Sequence, residues 1–236
     1  MKILSIIPAR GGSKTLANKN IKLFHGKPLI YWTIMPSMHT SLITTSIVSS
    51  DSEKIIECAQ AYGIDVPFVR PECFATDNAT SIDLVIHALD FFAKRKEFFD
   101  YVILLQPTSP LRTVEEIETM ILSFVKNKDR FDSVVAVVKN TVPTEWVCEI
   151  QDDLLVKESQ TPLRRQDTKA TFIPCGMFYM AKVSELRRQK TFYTSRTMAW
   201  VVDDRHRFDI DDIYDFLAAE AIHRCFFESA TWTYTI

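Results

Sequence analysis

The chain has 236 residues and a formal net charge of −2, with 47% hydrophobic and 25% charged residues. This size fits one large globular domain with a substantial core, and the near-neutral charge gives no support for non-specific nucleic-acid binding. The first apolar run, residues 3–7, is too short for a signal peptide or a membrane span. Five scattered cysteines without a Cys-x-x-Cys spacing predict reduced thiols, and together these features predict a cytoplasmic protein that binds no membrane.

Strands and helices are predicted to alternate along the chain. The predicted strands cover residues 3–8, 44–50, 66–69, 101–105 and 133–138. The predicted helices cover residues 28–39, 53–62, 81–94, 114–125 and 211–227, and Pro36 is expected to kink or shorten the first. Thr113 is predicted to cap the helix at 114–125, with Glu116 completing a capping box. Such alternation is typical of an α/β fold with a mostly parallel sheet, in which ligands bind at the carboxyl ends of the strands.

The loop that follows the first strand has the composition of a phosphate site. Gly11 and Gly12 are two of only five glycines in the chain, and they stand among Arg10, Lys14 and Lys19. Glycine lets backbone approach a ligand closely, and the three cations suit a polyphosphate. The alternative is an ordinary turn with solvated charges. No Walker A or Gly-x-Gly-x-x-Gly motif is present, which argues against a P-loop kinase and a classical dehydrogenase.

Two further polar loops are predicted at the same edge of the sheet. Gln106 opens a segment that two prolines, Pro107 and Pro110, restrain, and its amide suits a sugar or a base edge. A rigid strand-to-helix turn explains that segment equally well. Asp209 and Asp211 lie two residues apart, so an extended backbone would turn both carboxylates to one side and favour Mg²⁺. The alternative for this pair is an acidic helix start.

A basic loop combined with paired carboxylates indicates phosphoryl or nucleotidyl transfer, catalysed mostly by positioning and electrostatics. Residues 140–173 interrupt the alternation of strands and helices and are too many for a structureless connection. We interpret them as an excursion from a single domain of residues 1–236, with the excursion drawn at about 140–190. The alternative is an ordinary surface loop.

Four motifs together resemble the acylneuraminate cytidylyltransferases over essentially the whole chain up to about residue 225. The motifs are Ala9-Arg10-Gly11-Gly12-Ser13-Lys14 with Lys19-Asn20, Arg70-Pro71-Glu72, residues 104–112 (LLQPTSPLR), and Asp209-Ile210-Asp211. The resemblance implies a three-layer Rossmann-like nucleotidyltransferase with a mostly parallel sheet and a protruding dimerisation arm. It also implies a homodimer that converts CTP and a nonulosonic acid into a CMP-sugar and pyrophosphate.

The resemblance also assigns roles to individual residues. It implies Arg10, Lys19 and Asp211 as catalytic residues. The implied nucleotide-binding residues are Arg10, Gly11, Gly12, Ser13, Lys14, Lys19, Asn20, Arg70 and Ser81. The implied sugar-binding residues are Gln106, Arg165, Tyr179, Phe192 and Tyr193. Asp209 and Asp211 would hold Mg²⁺, with Mn²⁺ as a substitute.

The chain departs from the family pattern at Thr15, Ala17, Glu145 and Cys175. Glu145 stands where members that use sialic acid can have a sugar-contacting lysine, and Cys175 replaces a usual asparagine. These departures leave the nucleotide half intact and bear on the sugar. N-acetylneuraminate is the first expectation, and legionaminate, pseudaminate or another bacterial nonulosonate are alternatives. A small-molecule kinase and a catalytically silent nucleotide-binding protein are the remaining alternatives.

Overall fold

The protein is built on a six-stranded sheet. The computed structural model describes residues 1–13, 15–76, 79–157 and 169–228. Its strands are β1 (Ile3–Pro8), β2 (Leu23–Phe24), β3 (Lys27–Pro28), β4 (Thr45–Ser49), β5 (Tyr101–Leu104), β6 (Ser133–Lys139), β7 (Glu149–Gln151), β8 (Leu154–Val156), β9 (Phe172–Lys182) and β10 (Thr197–Val201). The main sheet has the order β10-β6-β9-β5-β1-β4 and is parallel except for β9, which is antiparallel to both neighbours.

Helices cover both faces of this sheet. They are α1 (Tyr31–His39), α2 (Glu53–Ala61), α3 (Ser81–Lys94), α4 (Val114–Lys126), α5 (Val183–Gln189) and α6 (Ile213–His223). Alternate residues of β1 point to opposite faces: Ile3 and Ile7 pack with α1, α2 and α4, whereas Leu4 and Ile6 pack with α3 and α5. The three-layer α/β architecture with a mostly parallel sheet is therefore confirmed. No helix in the described ranges has both the length and the apolar character needed to span a bilayer.

Local capping chemistry sets the starts of the helices near the candidate site. Thr113 caps α4 and accepts a hydrogen bond from the Glu116 amide, while the Glu116 side chain reaches back to the Thr113 amide, as the sequence predicted. The same reciprocal arrangement joins Thr80 to Asp83 at the start of α3 and Asp212 to Asp215 at the start of α6. Each cap satisfies two amides that would otherwise lack partners at a helix start.

Several predicted elements differ from the structure. Residues 66–69 form only isolated bridges, Ile47 with Asp65 and Ser50 with Val69, instead of a strand. Pro36 lies inside α1, which continues to His39, and the last helix ends at His223 before a π-helical turn, Arg224–Glu228. The prediction missed β9, α5 and β10. Because β9 and α5 belong to the main body, the excursion ends near residue 171 and not near residue 190.

The described part of the excursion is an exposed apolar hairpin. Strands β7 and β8 pair only with each other in the described ranges. The side chains of Ile150, Leu154 and Leu155 are 77%, 68% and 74% exposed. A hairpin of this kind is marginal by itself in water, so its apolar surface is suited to a protein contact. The role in dimerisation stays a prediction.

Candidate active site

The three polar loops predicted from the sequence line one cavity of about 440 Å³ at the carboxyl ends of β1 and β5. The cavity brings together eight of the predicted site residues: Arg10, Ser13, Lys19, Asn20, Arg70, Ser81, Gln106 and Asp211. The predicted convergence of the loops is therefore confirmed. Lys14 and Arg165 lie outside the described residues.

The first loop is held by its own polar groups. Asn20 is only 7% exposed, and its side-chain amide donates to the Arg10 carbonyl at 3.0 Å. The Gly11 amide donates to Asp51 Oδ1 at 3.0 Å, and a Cβ on Gly11 would lie 2.9 Å from the Cβ of Ser52. Gly11 therefore allows close packing against Ser52, and its amide faces a carboxylate. A Cβ on Gly12, by contrast, would meet no atom within 4 Å.

Arg70 forms a fixed cationic wall of the cavity. Its side chain is 4% exposed, and it donates through Nε to Ser49 Oγ at 3.1 Å and through Nη2 to the Ser49 carbonyl. Burial lowers the pKa of Arg70 to about 10, and Asp51 opposes this shift while Arg10 adds to it. The guanidinium still carries its charge at neutral pH, and its orientation is set by the end of β4.

Arg112 supports the Gln106 loop without lining the cavity, a role that the sequence analysis did not predict. It is 3% exposed and donates to the Gln106 carbonyl at 2.6 Å and to Thr33 Oγ1 at 2.8 Å. Burial lowers its pKa to about 9, against the effect of Cys175, Asp209 and Glu116. An arginine at the end of a proline-restrained loop is the sequence signal that could have indicated this role.

Gly176 of β9 lies where the Gln106 loop and the Asp209 segment meet. The pairing of β9 with β6 shifts register between Val135 and Val137, an irregularity of the kind often found beside active sites. Gly176 has φ of +71°, and a Cβ there would lie 2.4 Å from Gln106 Oε1, 2.7 Å from Ser109 Oγ and 3.3 Å from Asp209 Oδ2. Only glycine leaves room for these three side chains.

The segment of Asp209 and Asp211 is anchored by the residue between them. Ile210 is fully buried in an apolar cluster with Phe24, Leu29, Leu111, Phe216 and Ala219. Its amide donates to the Thr108 carbonyl at 2.8 Å, which joins this segment to the Gln106 loop. Asp209 and Asp211 flank this anchored residue, and the charge of Asp211 acts on Asp209.

The two carboxylates lie in different environments. Asp209 is largely buried, and its Oδ1 has no hydrogen-bond partner among the described residues. Burial raises the pKa of Asp209, a hydrogen bond from Thr108 opposes this, and the Asp211 charge adds to it. The side chain of Asp211 is 80% exposed and lies 3.3 Å from Lys19 Nζ, which also donates to the Ile210 carbonyl at 2.6 Å. A buried carboxylate oxygen without a partner, next to a second carboxylate, fits a divalent cation.

The predicted sugar-binding aromatics are not among the residues that line this cavity. Phe192 is 4% exposed and packs in the core with α3 and α5. The ring of Tyr179 contacts both Phe192 and Tyr193, at centroid distances of 5.6 and 6.4 Å. Phe192 therefore does not line this cavity, and its role in sugar binding stays a prediction. Tyr193 is 57% exposed. Burial is the main cause that raises the pKa of Tyr179, and the neighbouring Tyr193 hydroxyl raises it further.

The departures at positions 145 and 175 also lie away from the cavity lining. Cys175 is 2% exposed and packs in the core, with its thiol 3.6 Å from the Ala136 carbonyl. Glu145 lies in a short 3-10 turn, Thr144–Trp146, in the excursion. Within this chain, the Cys175 side chain therefore belongs to the packing between β9 and β6.

Comparison with known proteins gives a consistent result. The model of the cytidylyltransferase family matches residues 4–229. A CMP-N,N'-diacetyllegionaminic acid synthase of Legionella pneumophila is 34% identical over 94% of this chain and 96% of its own length. A pseudaminic acid cytidylyltransferase of Campylobacter jejuni is 30% identical over 98% of this chain and all of its own length. An N-acylneuraminate cytidylyltransferase of Escherichia coli is 32% identical over 94% of this chain, which spans 52% of that longer protein.

Solved structures agree on the fold. A CMP:2-keto-3-deoxy-manno-octonic acid synthetase complexed with CTP superposes with a TM-score of 0.68, at 15% identity, over 95% of this chain and 99% of that one. A 4-diphosphocytidyl-2C-methyl-D-erythritol synthase of Anaerococcus prevotii gives a TM-score of 0.61 at 13% identity, over 94% of this chain and 98% of that one. At these identities the likeness concerns the fold alone.

Proposed function

The chain belongs to the cytidylyltransferase family, and from that premise we propose that it transfers CMP from CTP to the anomeric hydroxyl of a nonulosonic acid, releasing pyrophosphate. The observation that supports this most directly is the shared cavity, in which the cations Arg10, Lys19 and Arg70 face Gln106 and Asp211. The names of the relatives, which include legionaminic, neuraminic and pseudaminic acid enzymes, support the class of sugar.

In this proposal the cationic side of the cavity binds the nucleotide. Arg10 and Lys19 bind the triphosphate, and Arg70 and Ser81 contact the cytidine. The anomeric hydroxyl of the sugar loses its proton to water as its oxygen forms a bond to the α-phosphorus. The bond from the α-phosphorus to the oxygen that bridges it to the β-phosphorus breaks, and pyrophosphate leaves with that oxygen. Because negative charge moves onto pyrophosphate, cations already fixed at that place lower the barrier without reorganisation.

Asp209 and Asp211 are proposed to hold Mg²⁺, with Mn²⁺ as a substitute. The described residues contain no group of three or more His, Cys, Asp or Glu side chains able to hold a metal. Phosphate oxygens of CTP and water would therefore complete the ligand set. The chemistry that Mg²⁺ supplies when bound is neutralisation of charge on those phosphate oxygens. Lys19, which contacts Asp211 here, is close enough to share the phosphates with the cation.

The proposed sugar is N-acetylneuraminate. Gln106 would contact this sugar, and Arg165 would bind its carboxylate. Tyr179 and Tyr193 would lie at the outer part of the sugar site. The Legionella relative favours diacetyllegionaminate as a second candidate. The exposed apolar hairpin β7–β8 supports a homodimer as the assembly, since a second copy would cover Ile150 and Leu155. The molar mass of the protein in solution, measured by light scattering, tests whether it is a homodimer.

The reaction is tested by pyrophosphate release with CTP and Mg²⁺ across N-acetylneuraminate, diacetyllegionaminate, pseudaminate and Kdo. A transferase releases pyrophosphate with at least one sugar, a kinase yields CDP, and a silent binder gives neither product while CTP still binds. The variant Arg10→Met should lose most activity, whereas Arg95→Met, on the exposed end of α3, serves as the control. Equal activity of both variants would contradict the proposed phosphate site.

A further inference from the structure

The start of α4 and the 3-10 turn that precedes Asp209 meet outside the cavity, at the carboxylate of Glu116. Glu116 Oε1 accepts a hydrogen bond from His206 Nε2 at 2.9 Å and another from Arg205 Nη2. Glu116 Oε2 accepts from the Thr113 amide at 2.9 Å and from its hydroxyl at 3.2 Å. One side chain therefore joins the start of α4 to the 3-10 turn Asp204–Arg207.

This junction is mostly removed from water. The side chains of Glu116, Arg205 and His206 are 25%, 19% and 0% exposed. Burial alone raises the pKa of Glu116, but His206, Thr113 and Arg205 together hold that pKa below its usual range. Glu116 is therefore ionised at neutral pH, and its hydrogen bonds are of the stronger, charge-assisted kind.

The junction lies directly before the proposed cation-binding segment. The Asp209 amide donates to the Arg207 carbonyl at 3.1 Å, and the Ile210 amide donates to Thr108 at 2.8 Å. The segment is thus tied at two places, to the start of α4 by Glu116 before it and to the Gln106 loop by Thr108 within it. Glu116 itself is not among the residues that line the reaction cavity.

We propose that Glu116 is a positioning residue that fixes the segment of Asp209 and Asp211 against the start of α4, and so sets the affinity for the divalent cation. This inference rests on the proposed function. Glu116 would act on cation binding only through the backbone of residues 204–211. Loss of the Glu116 carboxylate should therefore weaken metal binding more than CTP binding.

A simple helix cap is the competing explanation, and Glu116→Gln separates the two. Glutamine also supports a capping box, so the variant keeps the link to Thr113 but loses the charge that holds Arg205 and His206. Glu115→Gln is the matched control, because it removes the same charge from the same helical turn without touching the junction. Arg205→Gln breaks the junction from the other side and leaves the cap intact.

The experiment measures Mn²⁺ binding by electron paramagnetic resonance in the presence of CTP, together with CTP binding without metal and the melting temperature. For Glu116→Gln and Arg205→Gln we expect the Kd of Mn²⁺ to rise roughly tenfold, at the lower end of what outer partners of metal ligands contribute. The Kd of CTP without metal should stay near the wild-type value, and Glu115→Gln should behave as the wild type. If Glu116→Gln fails to fold, Arg205→Gln carries the test.

An unchanged Mn²⁺ affinity in folded Glu116→Gln or Arg205→Gln would overturn the inference, as would an equal loss in Glu115→Gln, which would indicate through-space charge. A lower melting temperature with unchanged Mn²⁺ affinity would mean that Glu116 acts only as part of the helix cap. The proposed function fails separately, if wild-type protein binds Mn²⁺ and CTP but releases no pyrophosphate with any sugar.

Discussion

The two sides of the reaction cavity are built differently. On the phosphate side, Arg10 and Lys19 project from a loop in which a Cβ on Gly12 would meet no atom within 4 Å. On the opposite side, Gln106 and Asp209 crowd the place where a Cβ on Gly176 would stand. The backbone at Gly12 has open space around it, whereas the second side is packed like the core.

This difference separates two tasks. A triphosphate is flexible and highly charged, so a loop with free space at Gly12 can adjust to it. A reaction centre needs groups whose positions are fixed before the substrate arrives, because reorganisation raises the barrier. Holding Asp209 in a fixed position lowers the stability of the folded protein. Its Oδ1 is buried without a hydrogen-bond partner among the described residues, so the carboxylate loses hydration that nothing replaces there.

The largest effect is expected from Asp209→Asn. The variant removes a buried carboxylate from the proposed cation site, so turnover should fall by about 10²–10³-fold, as when a fixed transition-state contact is lost. The protein without ligand should melt at a higher temperature at pH 7, because an ionised, desolvated group has been replaced. Pyrophosphate release and thermal melting check the two halves of this prediction.

The stability gained in Asp209→Asn should depend on pH. The pKa of Asp209 is raised in the folded protein, so its neutral form favours folding below the unfolded pKa, and this benefit is lost as pH rises through the folded pKa. The melting advantage of Asp209→Asn should therefore shrink as pH falls toward about 4. Asp211→Asn is the control: its side chain is 80% exposed, so turnover should fall without a gain in stability. A stability gain in both variants would contradict the contrast between them.

The second largest effect is expected from Gly176→Ala. The new methyl group must displace the Gln106 amide and the Ser109 hydroxyl, and a displacement of about 1 Å in such groups can reduce kcat/KM about 10²-fold. Gly26→Ala is the matched control, because Gly26 has the same φ of +71° but no atom within 4 Å of a Cβ. Both variants should lose about 1–2 kcal/mol of stability from left-handed backbone strain, but only Gly176→Ala should lose activity. Equal kcat/KM in the two variants would show that the crowded side is adjustable.

Local sequence patterns predicted the open side better than the crowded one. Glycines and cations close together in the chain indicated the phosphate loop, and the Thr113–Glu116 cap followed from a three-residue spacing. Strand β9 was missed because Pro174 and Gly176 interrupt its apolar pattern, and only pairing with β5 and β6, distant in sequence, makes it a strand.

Long-range contacts also decide the roles of single side chains. The Gly11 amide donates to Asp51, 40 residues away, a partner that no local spacing indicates. Phe192 and Tyr193 are adjacent aromatics, yet they are 4% and 57% exposed, because Phe192 packs in the cluster with α3 and α5. Burial of Arg112 depends likewise on Thr33, 79 residues earlier.

A moderate effect is expected from Lys19→Met on the open side. Loss of one charged hydrogen bond to phosphate should raise the KM for CTP about tenfold and reduce kcat less. The melting temperature should fall, because the Lys19 side chain is 12% exposed and its ammonium also donates to the Ile210 carbonyl at 2.6 Å. Steady-state kinetics with Lys54→Met, on the exposed face of α2, as control would check this. A loss confined to kcat would mean that Lys19 is as rigidly positioned as Asp209.

The smallest effect is expected from Gly12→Ala. A methyl group there meets no atom within 4 Å, and alanine restricts the unfolded chain, so stability should rise by about 0.4–1 kcal/mol. If the side chains of Arg10 and Lys19 supply most of the phosphate binding, the KM for CTP should change by less than about tenfold. A larger rise in KM in a protein of unchanged melting temperature would show that backbone at Gly12 approaches the phosphates directly. The open side would then share the close fit of the crowded side once the nucleotide is bound, and the contrast would hold only for the free protein.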